Sequence, residues 1–386
     1  MIEIAKPARE TVESPIRKMF NLANKMKDVV SFTVGEPDFP TPANIIDSAV
    51  RALHSGQTHY TPNAGILPLR QAIAQSLEHS HGLTADPESG IMVANGGMQV
   101  LMLLMMTLLD DGDEVIVSDP YWPNYVSQIK LCGGRPVFVK VREENGFVFD
   151  PDDVRRAVGP RTKAIIINSP ANPTGGVASR ETLAALAALA VEKGLVVVSD
   201  EVYRHFLYGG AEFVSIATFP GMQERTIIVD SFSKTFAMTG WRVGWAVGPQ
   251  EVIRTMVKLQ ENVSACVNSA TQYAAIEALQ GSQEPLRGMI AEYSGRRELL
   301  LAEIDRTDRL SCVKPRGAFY AFVNIRGTGL SSEEFATRLI TERGVAVVPG
   351  TGFGPEGEGF IRLSYATSKA QIREGLDRIR RFLATL

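Results

Sequence analysis

Cysteine and histidine are scarce, with three and five in 386 residues. Cys132, Cys266 and Cys312 lie far apart, so no pair has metal-ligand spacing, and the odd count offers no disulfide framework; a reduced compartment, the cytoplasm, is expected. The histidines form no HExxH pattern and no metal site is expected; His79 and His81 read as residues of a solvated helix end. An excess of one charge is missing too. Forty Lys plus Arg stand against 43 Asp plus Glu, a net −3, without the basic surplus of a nucleic-acid binder. The longest apolar run, residues 100–109, is interrupted by Thr107 and falls far short of the ~20 residues of a membrane-spanning helix. The N-terminus has neither a charged region leading into an apolar stretch nor a cleavage site, so no export signal is expected. Nucleic acid and membrane therefore drop out as partners.

What is present is an ordinary globular composition, 45% hydrophobic and 22% charged, long enough for about two to three domains. Apolar runs at 114–118, 136–141, 164–168, 195–199, 226–230 and 243–247 read as strands, and several are nearly continuous Val/Ile, as expected for strands covered on both faces. Helix-period segments alternate with them, such as 180–193, which is followed by Gly194 as a stop signal. This alternation predicts an α/β fold: a three-layer α/β/α large domain with a mostly parallel sheet, plus a smaller α+β domain. Long helical periodicity covers 250–280 and 285–303, and strands are expected near 318–323, 345–348 and 360–364. The expected division is an arm at 1–40 that packs on the C-terminal section, a large domain at 41–285 and a small domain at 286–386.

Parallel sheets bind ligands at the carboxyl edge, so the residues following each strand carry the chemistry. One run ends in Ser199-Asp200-Glu201-Val202-Tyr203, where an aspartate could equally cap a turn. Another enters Asn172-Pro173-Thr174-Gly175, a rigid turn that is either a plain crossover or a means of aiming Asn172 at a ligand. A third leads into Ser231-Phe232-Ser233-Lys234, then Gly240-Trp241-Arg242. A lysine just past a buried strand loses basicity by desolvation, as an imine-forming lysine requires, although most loop lysines simply reach solvent. The serines and Arg242 could hold a phosphate. Asn95-Gly96-Gly97-Met98 precedes a helix whose exposed N–H groups suit an anion, but a plain turn has the same appearance. Gly352-Phe353-Gly354-Pro355-Glu356-Gly357 fits GxGxxG, yet it precedes a strand where the dinucleotide motif needs a helix. Ser231-x-x-Lys234 fits a serine-acylase motif whose companion elements are missing.

Together and in order, these elements resemble fold-type I pyridoxal-phosphate enzymes, and within them the class I aminotransferases. The landmarks are Val34-Gly35-Glu36-Pro37-Asp38-Phe39, His59-Tyr60-Thr61-Pro62, Asn95-Gly96-Gly97, Pro120-Tyr121-Trp122, Asn172-Pro173-Thr174-Gly175, Ser199-Asp200-Glu201-Val202-Tyr203, Ser231-x-Ser233-Lys234 with Arg242, and Arg362-Leu363-Ser364. The resemblance implies pyridoxal 5′-phosphate as cofactor and a role for each matched residue. Lys234 bonds covalently to the cofactor and later moves protons. Asp200 pairs with the pyridine nitrogen, Tyr203 and Asn172 with the ring oxygen, and Trp122 stacks on the ring. Arg242, Ser231, Ser233, Gly97 and Met98 hold the phosphate, joined by Tyr60 of a neighbouring subunit, which implies a homodimer with shared active sites. Arg362 and Gly35 bind the substrate α-carboxylate.

The reaction implied is a ping-pong transamination between an L-amino acid and a 2-oxo acid, 2-oxoglutarate being the expected acceptor. Aspartate-specific relatives carry a lysine where this chain has Met98. The arm, Ser14-Pro15-Ile16-Arg17-Lys18-Met19-Phe20, is similar to that of aromatic and broad-range enzymes. An apolar wall of Ile16 and Met98 favours neutral or aromatic side chains, with Arg17 and Asn268 as candidate donors to a distal carboxylate. Aspartate aminotransferase is the alternative within the family. A β- or γ-lyase on the same fold shares most cofactor residues. An amino-acid-binding regulator would carry a DNA-binding domain for which this chain has no room.

Overall fold

The computed structural model describes residues 2–9, 11 and 15–386, with the side chains of Pro15, Ile16, Lys18, Phe20 and Asn24 outside that set. Seven strands form the central sheet: β1 Ile91–Ala94, β2 Glu114–Asp119, β3 Arg135–Lys140, β4 Thr162–Asn168, β5 Val196–Asp200, β6 Thr226–Ser231 and β7 Gly244–Val247. Their order is β1-β7-β6-β5-β4-β2-β3. All run parallel except β7, which is antiparallel to both its neighbours.

Side chains alternate across a strand, and here both faces are apolar. Ile165 and Ile167 of β4 enter one buried cluster with Val197 of β5 and Leu183, Leu186 and Ala190 of helix Arg180–Lys193. Ala164 and Ile166 enter the opposite cluster, with Val198, Ile227 and the helix Gly97–Leu108. Burial on both sides is why these strands read as unbroken Val/Ile runs.

A second, four-stranded antiparallel sheet is built from Ser311–Cys312, Tyr320–Asn324, Val348–Pro349 and Phe360–Ser364. Helices Glu284–Asp305, Ser332–Arg343 and Lys369–Leu383 pack on it. Val30 and Ser31 pair with Val345 and Ala346, and Phe32 O accepts from Ser364 N. The chain that leads to Gly35 is thereby anchored on the C-terminal section.

Two expectations are corrected. The helical stretch over 250–280 is two helices, Gln250–Val263 and Ser269–Gln280; Ala265 between them has φ +58°, and Asn268 caps the second by accepting from Thr271 N at 3.0 Å. His81 is not solvated: its side chain is fully buried, and Nε2 lies 2.8 Å from Glu201 Oε2. His79 does lie on the exposed helix end.

Candidate active site

Three adjacent parallel strands deliver their carboxyl ends to one place. Asn168 ends β4 in register with Asp200, the last residue of β5, and β6 ends at Ser231. A single turn of helix, Phe232–Thr235, follows immediately and carries Lys234. On the other side β7 begins at Gly244, paired with both Ser231 and Ala94. That register sets Gly96 and Gly97 beside Ser231. A Cβ on Gly244 would lie 2.6 Å from Gly97 N, so only glycine allows this approach.

The result is a cavity of about 230 Å³ lined by Gly35, Gly97, Met98, Trp122, Asn172, Asp200, Tyr203, Ser231, Ser233, Lys234, Arg242 and Arg362. Of the site residues named from the sequence, all are there but Tyr60, Ile16, Arg17 and Asn268, and Arg17 and Asn268 do not line the cavity. Tyr60 is 91% exposed and lies outside the cavity lining, and the Ile16 side chain lies outside the described residues. Two tyrosines that sequence reading missed, Tyr125 and Tyr320, also line it, beside Leu101, Asn168, Val202 and Val229. Neither sits in a strand-end motif, so periodicity gave no sign of them.

One end of the cavity is built for an anion. Ser231 Oγ donates to Ser233 Oγ at 2.9 Å and accepts from Ser233 N. Helix Gly97–Leu108 starts there without a side-chain cap, leaving the N–H groups and positive dipole of its first turn to a ligand. Gly96 holds φ +86°, and a Cβ on it would fall 2.6 Å from Arg242 Nη2. Backbone and guanidinium thus meet with no room for a side chain.

The middle holds a carboxylate in need of a cation. Burial raises the Asp200 pKa to about 6, while the Tyr125 hydroxyl and Val202 N–H, both donating to it, act against the rise. Its buried neighbours are already paired: Asp230 with Arg204 at 2.8 Å and Glu201 with His81. Asp200 forms no ion pair among the described residues, so a protonated ring nitrogen would supply the missing charge. Across the cavity, Lys234 Nζ donates to Gly35 O at 2.6 Å. Burial pushes its pKa down to about 8, with Arg362 and Arg242 adding to the fall and Glu36 opposing it.

Arg362 closes the remaining side. Nη2 donates to Thr33 O at 2.6 Å and Nη1 to Asn172 Oδ1 at 3.0 Å. Its buried Nε has no partner among the described residues, and a carboxylate can use such a donor. Met98 takes a contact from Asn124 Nδ2 at its sulfur and one from Gln128 Nε2 at its carbonyl. Asn268, engaged as a helix cap, does not line the cavity.

An anion cradle, a carboxylate lacking a cation and a lysine of lowered basicity, at the carboxyl edge of this sheet, define a fold-type I pyridoxal-phosphate enzyme. Comparison with known proteins makes the class definite. The family model for aminotransferase class I and II matches residues 27–379, and the chain belongs to that family. It is 45% identical over 372 residues to an aspartate aminotransferase of Pyrococcus abyssi, covering 96% of this chain and 95% of that one. It is 44% identical to aromatic-amino-acid aminotransferase 2 of Thermococcus litoralis, with the same coverage. Among solved structures, the aspartate aminotransferase of Thermus thermophilus with maleate superposes with a TM-score of 0.94 at 42% identity, over 99% and 100% of the two chains. The protein is a pyridoxal 5′-phosphate-dependent aminotransferase.

Proposed function

We propose that this enzyme moves the amino group of a neutral or aromatic L-amino acid to 2-oxoglutarate in a ping-pong sequence, acting as a cytoplasmic homodimer with shared sites. The observation that carries the substrate range is the charge inventory of the cavity. Among the described residues its lining cations are Lys234, Arg242 and Arg362, and the reading engages all three before any distal substrate group is considered. Arg242, with Ser231, Ser233 and the N–H groups of Gly97 and Met98, holds the cofactor phosphate. Arg362, with Gly35, clamps the substrate α-carboxylate and so fixes Cα for proton loss. Met98 offers no charge where a second carboxylate would need one. Arg17, on helix Pro15–Asn24, is the candidate that admits 2-oxoglutarate.

Bound pyridoxal 5′-phosphate supplies the electron sink for the developing carbanion. The chain does the rest. Lys234 Nζ takes the proton from substrate Cα, a task suited to an amine with a pKa of about 8. Asp200, held by Tyr125, keeps a proton on the ring nitrogen; Tyr203 and Asn172 serve the ring oxygen, and Trp122 covers the ring. Tyr60, exposed on its own chain, serves the phosphate of the second copy. The division into 1–40, 41–285 and 286–386 belongs to the same reading, the first and last sections forming the smaller body.

Mixing the cofactor-loaded enzyme with single amino acids, with no oxo acid present, tests the substrate range. Phenylalanine and tyrosine should discharge the visible cofactor absorption faster than aspartate, with stoichiometric oxo acid. Aspartate far ahead of both would give the aspartate aminotransferase reading instead. Ammonia and pyruvate from a β-substituted alanine, with the absorption restored, would indicate a lyase.

A further inference from the structure

Tyr320 begins the strand Tyr320–Asn324 of the smaller sheet and is completely buried. Three groups of the site converge on it. Its hydroxyl lies 2.8 Å from the Tyr203 hydroxyl. Its ring lies under the Arg362 guanidinium, 4.5 Å from Cζ to the ring centroid. A Cβ on Gly35, whose carbonyl accepts from Lys234, would come within 2.6 Å of the Tyr320 oxygen. The hydroxyl is therefore packed against the Gly35 backbone on one side and bonded to Tyr203 on the other.

We propose that Tyr320 is a positioning residue with two separable tasks, its hydroxyl aiming Tyr203 at the cofactor ring oxygen and its ring seating Arg362 for the substrate carboxylate. The inference rests on the roles given above to Tyr203 and Arg362. By donating its O–H to the Tyr203 oxygen, the Tyr320 hydroxyl leaves the single Tyr203 proton free to point at the ring oxygen and removes the competing direction. By facing the guanidinium with its π-surface, the ring holds the arginine through an interaction that needs no hydrogen-bonding atom. The donors of Arg362 stay directed at Thr33, Asn172 and the cavity.

The test uses the holoenzyme and two readouts other than turnover: the pH midpoint of its visible absorption, and the dissociation constant of 3-phenylpropanoate, a substrate-like monocarboxylate. Tyr320→Phe keeps the ring and removes the hydroxyl. It should raise the midpoint by about half to one pH unit, the worth of one neutral hydrogen bond lost from the ring-oxygen side, with carboxylate affinity within about twofold of wild type. Tyr320→Leu should produce the same shift and in addition weaken 3-phenylpropanoate about fivefold or more, through loss of the cation–π contact. An unchanged midpoint in Tyr320→Phe, with Tyr203→Phe displaced, would overturn the hydroxyl's task while leaving Tyr203 in place. Equal carboxylate affinities in the Phe and Leu variants would overturn the ring's task. An unchanged midpoint in Tyr203→Phe would remove the reading of Tyr203 itself, and the hydroxyl's task with it.

Discussion

Lys234 shows how burial turns an ordinary side chain into a reactive one. Its amine sits at the bottom of a cavity with two guanidiniums in range, and desolvation is the leading cause of its drop to about 8. The ammonium is the form that loses by burial, so the neutral amine grows as pH rises through that value. In cofactor-free enzyme, covalent capture of pyridoxal 5′-phosphate should accelerate from pH 6.5 through about 8, where half of the amine is neutral, and level off about one unit higher, followed by absorption after rapid mixing. Lys234→Ala should remove the covalent phase and all turnover while leaving the fold intact. A capture rate independent of pH over this range would mean that the amine is not the titrating nucleophile. At this scale the sequence was informative about residues in strand-end motifs and silent about the rest. Asp200, Arg242 and Arg362 announce themselves by position. Tyr125, which meets Asp200 from the helix Pro123–Leu131, and Tyr320 reach the site through tertiary packing alone. His81 was misplaced for the same reason: its buried partner Glu201 is 120 residues away.

At the scale of elements, apolar runs located six strands of the large sheet to within two residues; in the central strands two-sided burial demands continuous apolar sequence, whereas in the edge strand β3 only Val139 is buried. Strand β1, Ile91–Ala94, was not among the six, although β7, equally short at Gly244–Val247, was. The reversed direction of β7 has no local signature, since an antiparallel strand buried on both faces carries the same residues as a parallel one. Yet that reversal brings Gly244 against Gly97 and so shapes the anion end. Gly96 tests the consequence. Its Ala variant must hold a side chain at φ +86°, a strain of about 1–2 kcal/mol, and must also displace Arg242. Gly56 has a similar φ of +83° but open space around it, so Gly56→Ala carries strain alone. Both variants should melt a few degrees below wild type. Only Gly96→Ala should also bind pyridoxal 5′-phosphate more weakly, by about tenfold, measured by equilibrium titration of the cofactor-free protein. Equal cofactor affinity in the two variants would show that the phosphate does not sit at Gly96 and Arg242.

At the scale of the whole molecule, one assigned residue is out of place in a single chain. Tyr60 is 91% exposed, and helix Ala43–His54, shortly before it, turns Ile46, Val50 and Leu53 outward at 40%, 43% and 51% exposure. A side chain outside the cavity of its own chain can serve a phosphate only in another copy, and an outward apolar stripe beside it suits burial against such a copy. Shared sites make a distinctive prediction, because a defect in Tyr60 and a defect in Lys234 then fall in different sites of a mixed dimer. When Tyr60→Phe and Lys234→Ala chains are unfolded together and refolded, half of the dimers should be mixed, each with one fully native site and one doubly defective site. Activity should then rise above the average of the two parents toward about a quarter of wild type. The Lys234→Ala chain contributes no turnover of its own, so the gain is read against a clean background. Activity that stays at the parental average, with mixed dimers demonstrated by tagged chains, would place Tyr60 outside the shared site and leave the cradle to Arg242, the two serines and the helix start.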